Sequence, residues 1–134
     1  MSYDAAPDAA LDPALDRVSG PPMSIDMTIE RGCIVVRLGG HLVVDNVPRL
    51  NRWMDRIGRL EGRVLVAMDL HGVVGCDSAG VNALVGGAGR IRQAGGFLIA
   101  AHYPDACEAF AGRADLETRA TVDDAIAELR ALRS

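Results

Sequence analysis

The side chains that could do chemistry in this chain gather around one stretch, Cys76-Asp77-Ser78-Ala79-Gly80. It is one residue away from G-x-S-x-G, the turn that lifts a nucleophilic serine above a hydrolase sheet. A triad on that fold runs serine, acid, histidine. No Asp or Glu lies between Ser78 and His102, the only histidine downstream, so that order is impossible. The run Gly86-Gly87-Ala88-Gly89-Arg90-Ile91-Arg92 begins like a dinucleotide fingerprint, but Arg92 takes the place of the third glycine. It also falls inside a helical pattern, where its glycines point to a helix lying close against a neighbour. His41, His71 and His102, with Asp45, Asp69 and Asp105, match no compact ligand spacing, so no metal site is expected. All fourteen cationic side chains are arginine, which excludes Schiff-base, P-loop and lysine-base chemistry. Cys33, Cys76 and Cys107 form no C-x-x-C pair and read as buried, reduced thiols.

What survives is Ser78. It follows a buried apolar run and a six-residue connection, His71 to Cys76, and stands where a helix begins. Asp77 or Ser78 can serve there as N-cap, a role worth about 1 kcal/mol. A helix start also tolerates an anion, through its free amides and its dipole. A phosphate on Ser78 would add nearly two negative charges beside Asp77 and change any interface on that surface.

The elements that must position this serine alternate in type. Met23 to Glu30 alternates apolar and polar residues as a half-buried strand does, Arg31-Gly32 reads as a turn, and Cys33 to Leu38 as its hairpin partner ended by Gly39-Gly40. Pro48, preceded by Asn46 or Val47, opens a helix with Val47, Leu50, Trp53, Met54, Ile57 and Leu60 on one stripe. Val64 to Leu70 is a continuous apolar run, the mark of a central strand covered on both faces. A helix carrying Val81, Leu84, Val85, Ala88 and Ile91 follows Ser78, with Gly95-Gly96 as its stop. Phe97 to Ala101 is a further buried strand, Pro104 starts a short helix with Cys107 and Phe110 inward, and Glu117 to Ala120 reads as an edge strand. Thr121 opens a last helix in the manner of a capping box, with Val122, Ala125, Ile126, Leu129 and Leu132 on one face. Helices between buried strands imply right-handed crossovers. The expected fold is α/β, a mixed but mostly parallel sheet of about five strands packed by four helices.

Composition narrows the function. The chain has 134 residues, 49% hydrophobic, with a net charge of −4, which suits one soluble domain. There is no basic excess for nucleic acid or an acidic membrane, no apolar run near the ~20 residues of a bilayer span, and no secretory signal pattern. A cytoplasmic protein is expected. Residues 1–22 form a separate zone, with Asp4, Asp8, Asp12 and Asp16 against a single Arg17 and with prolines that interrupt any helix. This zone reads as a disordered acidic tail ahead of a domain over 23–134.

The stretch Met68-Asp69-Leu70, Val73-Val74 and Cys76-Asp77-Ser78-Ala79-Gly80-Val81 resembles the signature of the STAS domain, a strand ending D-L, a short apolar loop, and D-S-x-G opening a helix. The resemblance covers about residues 23–132 and implies a bacterial anti-sigma factor antagonist, a regulator of transcription without enzymatic activity or cofactor of its own. Such proteins switch partners. The unmodified form binds an anti-sigma factor, often a serine kinase, which phosphorylates the serine of D-S-x-G; a PP2C-type phosphatase restores it. That serine is Ser78 by resemblance. The contact surface it implies comprises His41, Val44, Asp45 and Asn46 with Cys76, Asp77, Ser78, Ala79, Gly80 and Asn82, Gly80 letting a partner approach the helix start closely. A homodimer is compatible with such a domain. Family members carry G-E-L-D or G-E-I-D after the second strand, whereas this chain has Gly40-His41-Leu42-Val43, with Val43 at the aspartate's place. That departure favours a non-switching STAS scaffold as an alternative. A small-ligand or nucleotide-binding domain using the helix start as an anion site is the other.

Overall fold

A computed structural model describes residues 22–60, 63–102 and 116–133. Five strands form one sheet in the order β1-β2-β3-β4-β5, where β1 is Met23–Glu30, β2 Cys33–Leu42, β3 Leu65–Cys76, β4 Phe97–Ala101 and β5 Thr118–Arg119. The first pair is antiparallel and the other three pairs are parallel. Three α-helices complete it: α1 Val47–Gly58, α2 Ser78–Gln93 and α3 Val122–Arg133. This is the expected α/β architecture. The expected fourth helix, near Pro104, lies outside the described residues, as does the tail before Pro22.

The hairpin turn takes the two-residue form anticipated for Arg31-Gly32, with φ of 52° and 81°, the twist that suits a tight antiparallel pair. β3 is buried on both faces because its side chains alternate between two cores. Val66, Met68 and Leu70 pack with Leu50, Trp53, Met54 and Ile57 of α1 and Val81, Leu84 and Ile91 of α2. Leu65 and Ala67 pack on the opposite face with Ala125, Ile126 and Leu129 of α3. Thr121 caps α3 as expected, its hydroxyl accepting from the Asp124 N–H at 3.1 Å.

Four expectations need correction. Gly39-Gly40 does not end β2, nor is His71 to Cys76 a loop: both strands run on, with His41 opposite Gly75 and Leu42 opposite Cys76. Register shifts after Arg37 and Gly40 absorb the irregularity. Gly40 has φ +82°, and a Cβ there would lie 2.3 Å from the Pro22 carbonyl oxygen, so its missing side chain permits the bend. The helix glycines were also expected to share one purpose. Of Gly86, Gly87 and Gly89 only Gly87 has it: a Cβ there would meet Met54 Cε at 2.5 Å, whereas Gly89 has nothing within 4 Å. Leu60 falls beyond α1 and is exposed.

Candidate functional site

The extended ends of β2 and β3 carry the start of α2 and the 43–46 segment side by side. Beyond Leu42 the chain makes a 3₁₀ turn at Val44–Asn46 before α1, with Val43 extended ahead of it. The Asp77 N–H donates to the Leu42 carbonyl at 3.2 Å. Asp77, not Ser78, is the N-cap of α2. Its Oδ1 accepts from the Gly80 N–H at 2.8 Å and its Oδ2 from the Val44 N–H at 3.0 Å. One carboxylate thus ties the helix start to the neighbouring turn.

Those bonds hold the Asp77 carboxyl below the usual aspartate range, the Gly80 amide first and the Val44 amide second. Because its pKa is depressed on folding, the stabilisation is complete above the unfolded value, about 3.9, and lost as pH falls through the folded one. Asp77→Ala is expected to cost about 1–2 kcal/mol at neutral pH and to flatten the fall of stability below about pH 4. Chemical denaturation at a series of pH values measures both.

The same bonds weigh against an anion site. The first-turn amides that would greet an external phosphate already serve Asp77, so the helix start carries its own anion.

The sequence-expected contact residues divide into two groups. Ser78, Asn82, Val44 and Asp45 are exposed, and His41, Ala79, Cys76 and Asp77 are partly so. Asn46 and Gly80 are not available to a partner. Asn46 is only 6% exposed, and its Nδ2 donates to the His41 carbonyl at 2.8 Å, closing the loop from within. Gly80 is buried, and a Cβ there would stand 1.9 Å from the Leu42 carbonyl oxygen. The close approach it permits is therefore to its own chain. Cys33 is buried and forms no disulfide; Cys76 is disulfide-bonded, contrary to the reduced thiol expected.

One surface residue escaped sequence reasoning. Val74 is 62% exposed and Val44 57%, apolar residues on the two segments that lead to Ser78 and to α1. Val74 was legible only as a loop residue, and nothing in its local pattern separates it from buried Val73. His71, midway along β3, and His102, just beyond β4, meet edge to face with ring centroids 5.4 Å apart. Among the described residues no cluster of His, Cys, Asp and Glu could hold a metal ion, and no helix is long and apolar enough to cross a membrane.

A five-stranded sheet opened by an antiparallel hairpin, with D-S-x-G starting a helix beyond its third strand, defines a class, and a family model for the STAS domain matches residues 24–126. The chain belongs to the STAS domain family. No curated protein matches it by sequence. Among solved structures it is similar to an anti-sigma factor antagonist from Mycobacterium paratuberculosis, at 17% identity and a TM-score of 0.65, over 81% of this chain and 94% of that one. It is similar also to the anti-sigma factor antagonist SpoIIAA in its unphosphorylated form, at 17% identity and a TM-score of 0.63, over 80% and 98%. SLC26A9 shares the fold at 14% identity and a TM-score of 0.56, over 75% of this chain and 20% of that one.

Proposed function

We propose that this protein is an anti-sigma factor antagonist, a cytoplasmic, non-enzymatic regulator of transcription that switches partners on phosphorylation of Ser78. The observation that carries the reading is an exposed serine at the first position of α2, left uncommitted because Asp77 does the capping. An anti-sigma factor of serine-kinase type would dock over Ser78, Asn82, Val44, Asp45 and Val74. Transfer of the γ-phosphoryl group of ATP to the Ser78 hydroxyl would release ADP, with the hydroxyl proton passing to a base of the kinase. The new charge would stand beside the Asp77 carboxylate, whose amide donors are already engaged, and repulsion would disfavour the docked state. A PP2C-type phosphatase would reverse the step.

A second reading is favoured by Val43, an aliphatic residue in the place where family members have an aspartate. In it the domain binds its partner constitutively, as a scaffold, and Ser78 is only the first helical residue. Incubation with the cognate anti-sigma factor and ATP, followed by intact mass measurement, separates the two. A gain of one phosphate that disappears in Ser78→Ala supports the switch; an unchanged mass supports the scaffold.

Both readings would use exposed Val74 as a contact. Val74→Asp is expected to leave stability within about 0.5 kcal/mol, since the side chain is exposed. It is expected to weaken anti-sigma binding by about tenfold or more, as a buried, unpaired charge at an interface does. Paired thermal denaturation and titration calorimetry check it.

A further inference from the structure

The outer edge of the sheet is β1, eight residues long, MSIDMTIE, with no proline, glycine or basic residue to blunt it. Such edges offer a row of unpaired backbone groups to another strand. The two-residue Arg31-Gly32 turn makes Glu30 and Cys33 a hydrogen-bonded pair, and alternation up the ladder follows. Ser24, Asp26, Thr28 and Glu30 therefore bond to β2. Met23, Ile25, Met27 and Ile29 turn their N–H and C=O groups to the open side, consistent with Arg49 donating to the Met23 carbonyl there. The side chains of these four residues lie on the face packed by α1 and α2, but cover fades along the strand. Met23 and Ile25 are buried, Met27 is half-buried, and Ile29 is 67% exposed.

We infer that β1 pairs with β1 of a second copy of this chain, antiparallel and centred on Met27, to make a continuous ten-stranded sheet. Self-complementarity favours that occupant, and charge favours that register over the two adjacent ones. With Met27 opposite Met27, each exposed Ile29 lies against the other copy's buried Ile25, Asp26 faces Thr28, and Ser24 faces Glu30. Moving the two-fold to Asp26 sets Asp26 against Asp26, and moving it to Thr28 sets Asp26 against Glu30. Like charges directly opposite are unfavourable in both. The chain's own N-terminal segment is a poorer occupant: residues 1–21 carry four aspartates against one arginine and prolines at 7, 13 and 21, which repel Asp26 and Glu30 and remove ladder donors.

The pairing leaves function intact. Ser78 stands beyond the C-terminal ends of the parallel strands, and antiparallel β1 strands point those ends in opposite directions. Two partners would then bind one dimer without meeting. One strand pair is smaller than a standard interface of about 1,600 Å², so a micromolar, concentration-dependent dimer is expected.

Light scattering on the full chain across a concentration series should approach twice the 14.2 kDa of one chain. Ile29→Lys, at a site already exposed and so compatible with folding, should stay at a single mass with an unchanged circular dichroism spectrum. Under mild oxidation Met27→Cys should give a covalent dimer and Asp26→Cys should not. A single-chain mass at every concentration overturns the proposal, as does an Ile29→Lys protein that still dimerises, or cross-linking through residue 26 in place of 27.

Discussion

Gly80→Ala is expected to destabilise the domain by at least about 3 kcal/mol and to lower Tm by more than about 10 °C. The added Cβ would stand 1.9 Å from the Leu42 carbonyl oxygen, 2.4 Å from its carbon and 3.0 Å from the Val43 nitrogen. All three are backbone atoms, so no side chain can swing aside. Leu42 is held by its pairing with Cys76 and by the Asp77 N–H. Relief would require the start of α2 to lift off the end of β2, breaking the bonds that the Asp77 N–H makes to the Leu42 carbonyl and that the Val44 N–H makes to the Asp77 carboxylate. Gly89→Ala is the internal control. It lies in the same helix, exposed, with nothing within 4 Å of the new methyl group. There the substitution should stabilise by about 0.5–1 kcal/mol, because alanine loses less conformational freedom on entering a helix. Thermal denaturation of the two variants beside the parent checks both signs. Equal stability of Gly80→Ala and the parent would mean that α2 is not seated on β2.

Most of the architecture was legible because local pattern and tertiary demand agree. The Arg31-Gly32 turn, the Pro48 helix, the two-sided apolar strand and the Thr121 cap each follow from short-range chemistry that packing then confirms. The site was legible as far as its motif: Asp77-Ser78-Ala79-Gly80 opens a helix after an apolar strand, as expected. What escaped depends on partners distant in sequence. Glycines at 39, 40, 72 and 75 are ordinary strand breakers by propensity, yet here they let two strands bend and stay paired through Cys76. The role of Gly80 turned on Leu42, 38 positions away, and that of Asn46 on an inward hydrogen bond to His41. Pattern alone assigned both to the surface. Val74 shows the reverse, an apolar residue left exposed beside buried Val73.

Ser78→Asp is expected to weaken binding to the anti-sigma factor by about 2–3 kcal/mol, roughly 30- to 160-fold in Kd, with Ser78→Ala within about threefold of the parent. The asymmetry follows from what already surrounds the serine. Asp77 draws the Gly80 and Val44 amides to itself, so a second carboxylate at position 78 finds no matching donors and stands beside a like charge. Covering it with a partner surface removes water without replacing its hydrogen bonds, which is costly. Alanine removes only a hydroxyl that caps nothing, and it favours the helix slightly. Neither variant should alter the fold by much, since residue 78 is exposed at the first turn, where an acidic side chain suits the dipole. Binding can therefore be read without a stability correction. Added salt should narrow the gap between the two variants, because part of the penalty is repulsion between exposed charges. Equal affinities for Ser78→Asp and Ser78→Ala would remove this residue from the interface and leave the constitutive scaffold as the standing account.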